Sequence, residues 1–315
     1  MWKRGRRLGR GSYGVVSLVE SNHEGGGFDH HLPSVMAVKS AEISKAHSIQ
    51  KEKELLQRFE GCPYIISCFG DDFTIEDGVE LYNILLEFAS GGSLADRIRE
   101  RSGDQGLNEY EVRRYTHSVL KGLSYIHMHG YVHCDIKPHN ILLVGDWSST
   151  SSLIPRLKRD EEIAKIADFG LAKKVVGNGK KKGQRGKPPW KCGPNSEICN
   201  LLFRISFTEE LPEIPKKGVS KEAEDFLKKC LVRDPKSRWT AHMLLDHPFV
   251  SSIEERYGIC KKRKRREDID EEQQQASISG SETTFGMQHV YQRYWGKKRI
   301  LAMSYSGEAI PLGLL

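Results

Sequence analysis

The sequence predicts an α+β fold in two lobes, a small strand-rich lobe over residues 1–90 followed by a mostly helical lobe over residues 91–250. Short β-branched runs separated by glycine turns fill the first part of the chain, as is typical of strands. In the second part, segments 108–129 and 220–231 place apolar residues three and four positions apart, the period of an amphipathic helix. Residues 251–315 are first basic, then acidic and glutamine-rich, and are predicted to be a largely disordered tail.

Charge and hydropathy narrow the classes of function. The 315 residues carry a net charge of +7, much of it in two basic runs, 180–187 and 261–266. Such runs can bind nucleic acid or direct nuclear import, or can simply be solvated charge. Because no recognised nucleic-acid motif accompanies them, no direct binding to nucleic acid is expected. The second run is a candidate import signal, so the expected location is cytoplasmic, nuclear or both.

No apolar run approaches the roughly 18 residues that a membrane span needs, so no membrane association is expected.

Three glycines near the N-terminus have a spacing that can cover a phosphate group. Gly9, Gly11 and Gly14 form Gly-x-Gly-x-x-Gly, with Val16 two residues later. The same glycines occur in dinucleotide-binding turns, where they open a helix, and on their own they are also compatible with a plain turn. Here residues 15–19 are β-branched, so the glycines join two strands. This predicts a flap whose backbone N–H groups can approach an anion.

A lysine ends the next apolar strand. Lys39 comes 25 residues after the last glycine of the flap and is well placed to reach the phosphates of a nucleotide. A lysine in that position needs a carboxylate to hold it, and the helix predicted over residues 44–59 offers Glu52 and Glu54. At about 100° per residue, Glu52 falls within the apolar arc and Glu54 on the opposite face. Glu52 is therefore predicted to pair with Lys39.

The strongest signal is a polar loop between two strands. Residues 133–140 read His-Cys-Asp-Ile-Lys-Pro-His-Asn and lead into an apolar strand. Twenty-eight residues after Asn140 comes the triplet Asp168-Phe169-Gly170. The glycine flap, the strand lysine, this loop and the triplet occur in the order and spacing of protein kinases, and the chain resembles that family from about residue 3 to residue 252.

The resemblance implies a role for each matching residue. Asp135 resembles the base that orients the substrate hydroxyl group. Lys137 resembles the loop lysine that steadies the transferred phosphate, a feature closer to serine/threonine than to tyrosine kinases. Together with Lys39 and Glu52 these would form the catalytic set.

The resemblance also implies ATP and Mg²⁺. Asn140 and Asp168 resemble the magnesium ligands, and two oxygen donors suit a hard, mostly hydrated cation. Leu86 resembles the residue at the back of the adenine pocket. The residues expected to surround the nucleotide come from the flap, the lysine strand, the hinge between the lobes and the strand after the catalytic loop: Gly9, Arg10, Gly11, Gly14, Val16, Ala37, Lys39, Glu87, Ala89 and Leu142.

Other stretches narrow the resemblance. Residues 91–94, 171–173, 225–241 and 247–250 are similar to those of MAP kinase kinase kinases, the plant MEKK-like kind in particular. The resemblance implies an enzyme that transfers the γ-phosphate of ATP to Ser or Thr of a protein in a signalling cascade. A MAP kinase kinase is the expected protein substrate.

Two features depart from the pattern of the family. Cys134 occupies a position where arginine is usual, which implies that activity is not switched through a phosphate on the activation loop. Gly186 runs directly into Lys187-Pro-Pro-Trp, so the peptide-docking loop, the Ala-Pro-Glu motif and the central helix of the large lobe are expected to be missing. Residues 171–195 contain no Ser or Thr. An internally deleted form of a kinase is the hypothesis that follows.

Such a deletion would have consequences for packing. Arg238 would lose its usual glutamate partner and remain an unpaired cation. The apolar stripes of the two long helices would stay partly exposed. An alternative function follows, in which the chain is an ATP-binding pseudokinase or a dominant-negative splice form that holds partners without phosphorylating them. A nucleic-acid binder is a weaker third interpretation.

Overall fold

The computed structural model describes residues 2–11, 14–21, 32–101, 106–145, 162–175, 208, 210–215 and 218–253. Within them the predicted α+β fold in two lobes is confirmed, with a strand-rich lobe preceding a mostly helical one. In the described part of the chain, no helix is long and apolar enough to cross a membrane.

The small lobe is one antiparallel sheet with a helix against it. Its strands pair in the order β1-β2-β3-β5-β4. The strands are β1 (Trp2–Gly11), β2 (Gly14–Ser21), β3 (Val35–Glu42), β4 (Cys68–Glu76) and β5 (Val79–Glu87), and the helix α1 (His47–Arg58) lies between β3 and β4. The glycine flap is therefore the turn of the β1–β2 hairpin, as predicted.

The apolar residues near positions 65–69 predict a strand there, but the observed strand begins later. β4 starts at Cys68 and runs to Glu76, while Ile65 makes only an isolated bridge to Ile166. The error arose because β4 is an edge strand with exposed Phe73 and Ile75, so its residues lack the apolar run of a buried strand.

The large lobe contains most of the helices and two short antiparallel ladders. The helices are α2 (Leu94–Arg101), α3 (Glu109–Met128), α4 (Lys221–Cys230) and α5 (Ala241–Leu245). The ladders pair β6 (Tyr131–Val132) with β9 (Lys173–Lys174), and β7 (Ile141–Val144) with β8 (Ile163–Ile166). These ladders present the catalytic loop and the Asp-Phe-Gly triplet side by side.

The two helices predicted from apolar periodicity, α3 and α4, each begin after a capping residue. Asn108 accepts a hydrogen bond from the Glu111 backbone, and the Glu111 side chain bonds back to the Asn108 backbone, which completes a capping box at α3. Ser220 accepts from the Ala223 backbone at the start of α4.

The expected exposure of the apolar stripes is wrong for the described residues. Val119 and Leu123 on α3 and Phe226 on α4 are buried. α5 packs against α3, and the ring of Phe226 lies 5.0 Å from that of Phe249. The stripes are therefore covered.

Arg238 also differs from the expectation of an unpaired cation. It is half-buried, and it donates from Nε to the Val232 carbonyl at 2.7 Å and from Nη2 to the Arg233 carbonyl at 3.2 Å. Burial lowers its pKa from the usual range. Backbone carbonyls are thus the partners that the structure gives to this guanidinium group.

The ordered lobe continues beyond the boundary that the sequence predicted. Residues 248–253 are helical and Ile253 is buried, so residues 251–253 belong to the lobe rather than to the tail. The remainder of the predicted tail, the Gly186–Lys187 junction and both basic runs lie outside the described residues.

Candidate functional site

The predicted lysine–glutamate pair is present between β3 and α1. Lys39 Nζ lies 2.6 Å from Glu52 Oε2, and Glu52 is only 2% exposed whereas Glu54 faces solvent. Lys39 Nζ also lies 3.0 Å from Asp168 Oδ1. One ammonium group is thus held between two carboxylates from distant parts of the sequence.

The charges in this cluster depend on one another. Burial alone would lower the pKa of Lys39, but the attraction of Glu52 and Asp168 outweighs it and raises the pKa. Burial raises the pKa of Glu52, and the positive charge of Lys39 opposes that change. Lys39 is consequently a fixed positive charge at neutral pH, which an anionic phosphate can approach.

Glu52 also ties the helix to the Asp-Phe-Gly triplet. Its Oε1 accepts a hydrogen bond from the Phe169 backbone at 3.3 Å. The Phe169 side chain is fully buried, with its ring 5.4 Å from that of Phe59 and 4.8 Å from that of His133. The position of Asp168 is therefore set by packing on one side and by Lys39 on the other.

The catalytic loop brings the other predicted polar residues together. Lys137 Nζ lies 2.6 Å from Asp135 Oδ2. Asn140 Nδ2 donates to the same oxygen and to the Asp135 carbonyl, each at 2.9 Å. The Ala167 backbone donates to the Asn140 carbonyl at 2.9 Å, so the loop lies directly beside Asp168.

His133 has a function in this loop that sequence reasoning did not assign. It is buried, Nδ1 accepts from the Asp135 backbone at 3.3 Å, and Nε2 lies 3.0 Å from the Ala167 carbonyl. An acceptor at Nδ1 requires the proton to be on Nε2, which gives the neutral tautomer. Burial lowers the pKa of His133 to about 4, so the ring stays neutral and joins the catalytic loop to β8.

Two non-glycine residues beside the site have left-handed backbone conformations. Cys134 has φ of 66° and Asp168 has φ of 65°. Each such residue costs about 1 kcal/mol or more, which the surrounding hydrogen bonds must offset. The strain lies next to Asp135 and at the head of the Asp-Phe-Gly triplet, where positioning matters most.

The flap glycines differ in what their backbone requires. Gly14 has φ of 154°, and a Cβ there would come within 2.5 Å of the Ser40 carbonyl. Gly9 and Gly11 have open space where a side chain would project. Gly14 therefore fits the hairpin against β3, while Gly9 and Gly11 leave room above the site. Arg10 and Val16, also expected at the nucleotide, lie on β1 and β2 beside them.

The hinge residues are held to the large lobe by a lysine that sequence reasoning missed. The carboxylate of Glu87 binds Lys165 Nζ at 2.7 and 2.8 Å, and it accepts from the Ser67 backbone at 3.0 Å. The Glu87 side chain therefore ties the hinge to β8 and to the loop before β4. Lys165 lies three residues before Asp168, and this position in the sequence does not indicate that it pairs with Glu87.

The remaining predicted pocket residues lie around the same cleft. Ala37 and Leu86 are register partners on β3 and β5, and both are buried. Leu142 on β7 is half-buried and bridges to Ser93. Ala89 accepts from the Gly92 backbone at 3.1 Å in the turn after the hinge.

The donor atoms suit a divalent cation that is shared with phosphate. Asn140 turns its amide nitrogen toward Asp135, which directs its amide oxygen elsewhere, and Asp168 binds Lys39 through only one of its oxygens. In the described ranges, no cluster of three or more His, Cys, Asp or Glu could hold a metal ion by itself. A hard cation that keeps water and phosphate oxygens fits such a sparse set.

Comparisons with known proteins agree with this geometry. Residues 2–194 match the protein kinase domain family. The chain is 39% identical over 288 aligned residues to mitogen-activated protein kinase kinase kinase 20 of Arabidopsis thaliana, covering 79% of this chain and 78% of that protein. Kinases 17 and 18 of the same name and organism are 34% and 32% identical, with 80% of this chain and 70% and 78% of those proteins covered. This chain therefore belongs to the protein kinase family and is a serine/threonine kinase of the MAP kinase kinase kinase type.

Proposed function

We propose that this chain transfers the γ-phosphate of Mg-ATP to a Ser or Thr hydroxyl group of a MAP kinase kinase. The observation that carries the proposal is the cluster in which Lys39 binds both Glu52 and Asp168, beside a loop that holds Asp135, Lys137 and Asn140 together. Phosphoryl transfer depends on positioning and charge stabilisation more than on covalent help from the protein, and this cluster supplies both.

The nucleotide side of the reaction follows from the fixed charges. Lys39, held by Glu52, would bind the phosphates from below, and the flap with Gly9 and Gly11 would cover them with backbone N–H groups. Asn140 and Asp168 would hold Mg²⁺, which neutralises charge that develops on the phosphates. Adenine would meet the hinge backbone at Glu87 and Ala89, between Ala37 and Leu142.

The substrate side depends on Asp135. Its carboxylate accepts hydrogen bonds from Lys137 and Asn140, which fix its orientation. It would accept the proton of the substrate hydroxyl group while that oxygen attacks the phosphorus. Lys137 Nζ lies 2.6 Å from Asp135 Oδ2, and its side chain is 39% exposed. It would move from Asp135 to the transferred phosphate.

The proposed substrate comes from the relatives. Three proteins that share 32–39% identity with this chain are named as MAP kinase kinase kinases, a name that states a MAP kinase kinase as the protein acted upon. Cys134, in place of the usual arginine, supports an activity that needs no phosphate on the activation loop.

A second candidate is an ATP-binding form that holds partners without phosphorylating them. The alignment with kinase 20 runs over 288 positions, whereas 79% of the 315 residues is about 249 residues, so about 39 positions of the alignment have no residue of this chain. A segment missing at the Gly186–Lys187 junction would leave unmatched positions of this kind. A kinase without its peptide-docking loop would keep the ATP site but would no longer bind its protein substrate.

Location in the cell is a further proposal. The basic run 261–266 has the composition of a nuclear-import signal, which favours a protein that is found in the nucleus as well as the cytoplasm. Replacing its six basic residues with Gln in a fluorescent fusion should lower the nuclear fraction. An unchanged distribution would remove the signal from the proposal.

The test of the proposed function is transfer of labelled phosphate from Mg-ATP to a catalytically inactive MAP kinase kinase. Wild-type chain should label Ser or Thr of that protein, and Asp135→Asn should reduce the rate by at least about a hundredfold while it leaves Mg-ATP affinity nearly unchanged. Glu54→Gln, on the exposed face of α1, is the matched control and should retain the rate. Mg-ATP binding without transfer would favour the second candidate.

A further inference from the structure

Side chains join the strands at the two edges of the small-lobe sheet. β1 and β4 lie at opposite ends of the strand order. Nevertheless Trp2 Nε1 donates to Asp72 Oδ2 at 3.0 Å, and Arg4 donates to Glu76 Oε1 from Nε at 3.0 Å and from Nη2 at 2.7 Å. The sheet must therefore curl until its first and last strands meet across the concave face.

Arg4 is the centre of a polar network that links four of the five strands. Its Nη1 donates to Ser40 Oγ on β3 at 2.9 Å, and its Nη2 donates to Asn83 Oδ1 on β5 at 3.0 Å. Asn83 is fully buried, accepts from Ser40 Oγ at 2.6 Å, and donates to Thr74 Oγ1 at 3.0 Å. Hydrogen bonds from a charged, partly buried guanidinium are about twice as strong as neutral ones, so this network restrains β1 firmly.

Ser40 is where the network meets both the flap and the phosphate-binding lysine. It directly follows Lys39, and its register partner on β2 is Val15, at the end of the flap. A Cβ atom added to Gly14 would lie 2.5 Å from the carbonyl oxygen of Ser40. Arg4 thus fixes the first strand of the flap hairpin, and Gly14 fixes the second, to the same residue beside Lys39.

We propose that Arg4 is a positioning residue for the nucleotide, acting through Ser40 to hold the flap in register above Lys39. The inference rests on the proposed binding of Mg-ATP at this site. A hairpin that is already fixed at its base loses less conformational entropy when its glycines close on the phosphates. The free energy of Mg-ATP binding is therefore more favourable. Arg4 itself touches no substrate, and it lies on the same strand as the flap glycines Gly9 and Gly11.

The experiment compares Arg4→Met with Arg6→Met in the full chain. Arg6 is exposed on the same strand, so its replacement removes the same charge without the network. Arg4→Met should raise the dissociation constant of Mg-ATP, measured by calorimetric titration, by about five- to tenfold, and Arg6→Met should leave it unchanged. Arg4→Lys should restore only part of the affinity, because a lysine cannot reach Glu76, Ser40 and Asn83 together.

Amide hydrogen exchange separates positioning from general destabilisation. Without nucleotide, Arg4→Met should speed exchange in β1 and β2 and leave α3 unchanged. Glu76→Gln, at a partly exposed position where folding is not at risk, should give the same local pattern more weakly. Equal Mg-ATP affinity of Arg4→Met and Arg6→Met, or faster exchange spread over both lobes, would overturn the inference.

The two proposals fail in different ways. A wild-type chain that binds no Mg-ATP would contradict the proposed function. The hydrogen-exchange measurement needs no nucleotide. If Arg4→Met leaves exchange in β1 and β2 unchanged, that result alone would contradict the proposal that Arg4 restrains the flap.

Discussion

The conformation of the catalytic loop depends on a single buried histidine. His133 is neutral because burial lowers its pKa to about 4, and in that state it bonds at both ring nitrogens, to Asp135 and to Ala167. Protonation would place a second proton on Nδ1, opposite the backbone N–H of Asp135. The loop that holds the proposed base is therefore stable only while this ring is uncharged.

A pH dependence follows from that depressed pKa. The unfolded chain takes up a proton near pH 6.5 and the folded chain only near pH 4, so stability is fully present above pH 6.5 and is lost as pH falls toward 4. From pH 7 to pH 4.5, wild type should lose roughly 2 to 3 kcal/mol relative to His133→Asn. Urea unfolding of both proteins measures it. A difference that does not change with pH would contradict the neutral, buried ring.

Replacing Lys39 should destabilise the protein more at neutral pH than at acidic pH, which is the opposite of the pH dependence expected from His133. Lys39→Met leaves Glu52 and Asp168 without their shared cation and should cost about 3 kcal/mol at pH 7. Burial raises the pKa of Glu52, and a proton on this carboxyl group removes the uncompensated charge, so the variant should lose less stability at pH 5 than at pH 7. Lys45→Met, at a side chain that is 72% exposed, is the control and should change little. A loss that is equal at both pH values would argue against a buried, ionised Glu52.

At the scale of elements, the flap hairpin and the helix α1 define the site. α1 turns Glu52 inward and Glu54 outward because the apolar residues Ile49, Leu55 and Leu56 occupy the same face as Glu52. The hairpin is closed at Gly14 by the Ser40 carbonyl. The relative position of these two elements decides whether Lys39 faces the phosphates.

The glycines of the flap can be told apart by substitution. Gly14→Ala would place a methyl group 2.5 Å from the Ser40 carbonyl at a φ of 154°, and should destabilise the protein by about 2 kcal/mol. Gly11→Ala has no atom within 4 Å of the new methyl group and should leave the free energy of unfolding nearly unchanged. Denaturant unfolding of both variants checks this, and equal costs would mean that the hairpin does not lie against β3.

Apolar periodicity predicted the helices well, but it did not predict the long-range contacts. The inward face of Glu52 and the start of α3 at Asn108 follow from local spacing, and both are confirmed. The ion pair of Lys165 with Glu87 joins residues far apart in the sequence, so no local pattern reveals it. The carbonyl partners of Arg238 were missed because backbone acceptors carry no sequence signal.

At the scale of the whole molecule, the two lobes share one core behind the site. A single cluster of buried apolar residues includes Leu55 and Phe59 next to the small-lobe sheet, and Leu120 and Phe226 in the large lobe. The Ile66 backbone donates to the Ile166 carbonyl at 3.0 Å, which joins the loop after α1 to β8. A ligand that binds between the lobes should therefore stabilise both of them together.

This continuity bears on the inferred deletion. The apolar faces of α3 and α4 are buried, with Phe249 packed on Phe226 and α5 on α3. The described part of the large lobe thus belongs to the continuous core that it shares with the small lobe. We therefore expect a cooperative unfolding transition for the chain as it stands.

Thermal unfolding with and without Mg-ATP tests most directly the claim that the nucleotide site is assembled in this chain. At a hundred times its dissociation constant, Mg-ATP should add about 2.7 kcal/mol to the free energy of unfolding and raise the midpoint temperature of a single transition. Asp168→Asn, which removes a proposed cation ligand and a partner of Lys39, should abolish most of that rise. A broad transition, or one that Mg-ATP leaves unmoved, would contradict an assembled site.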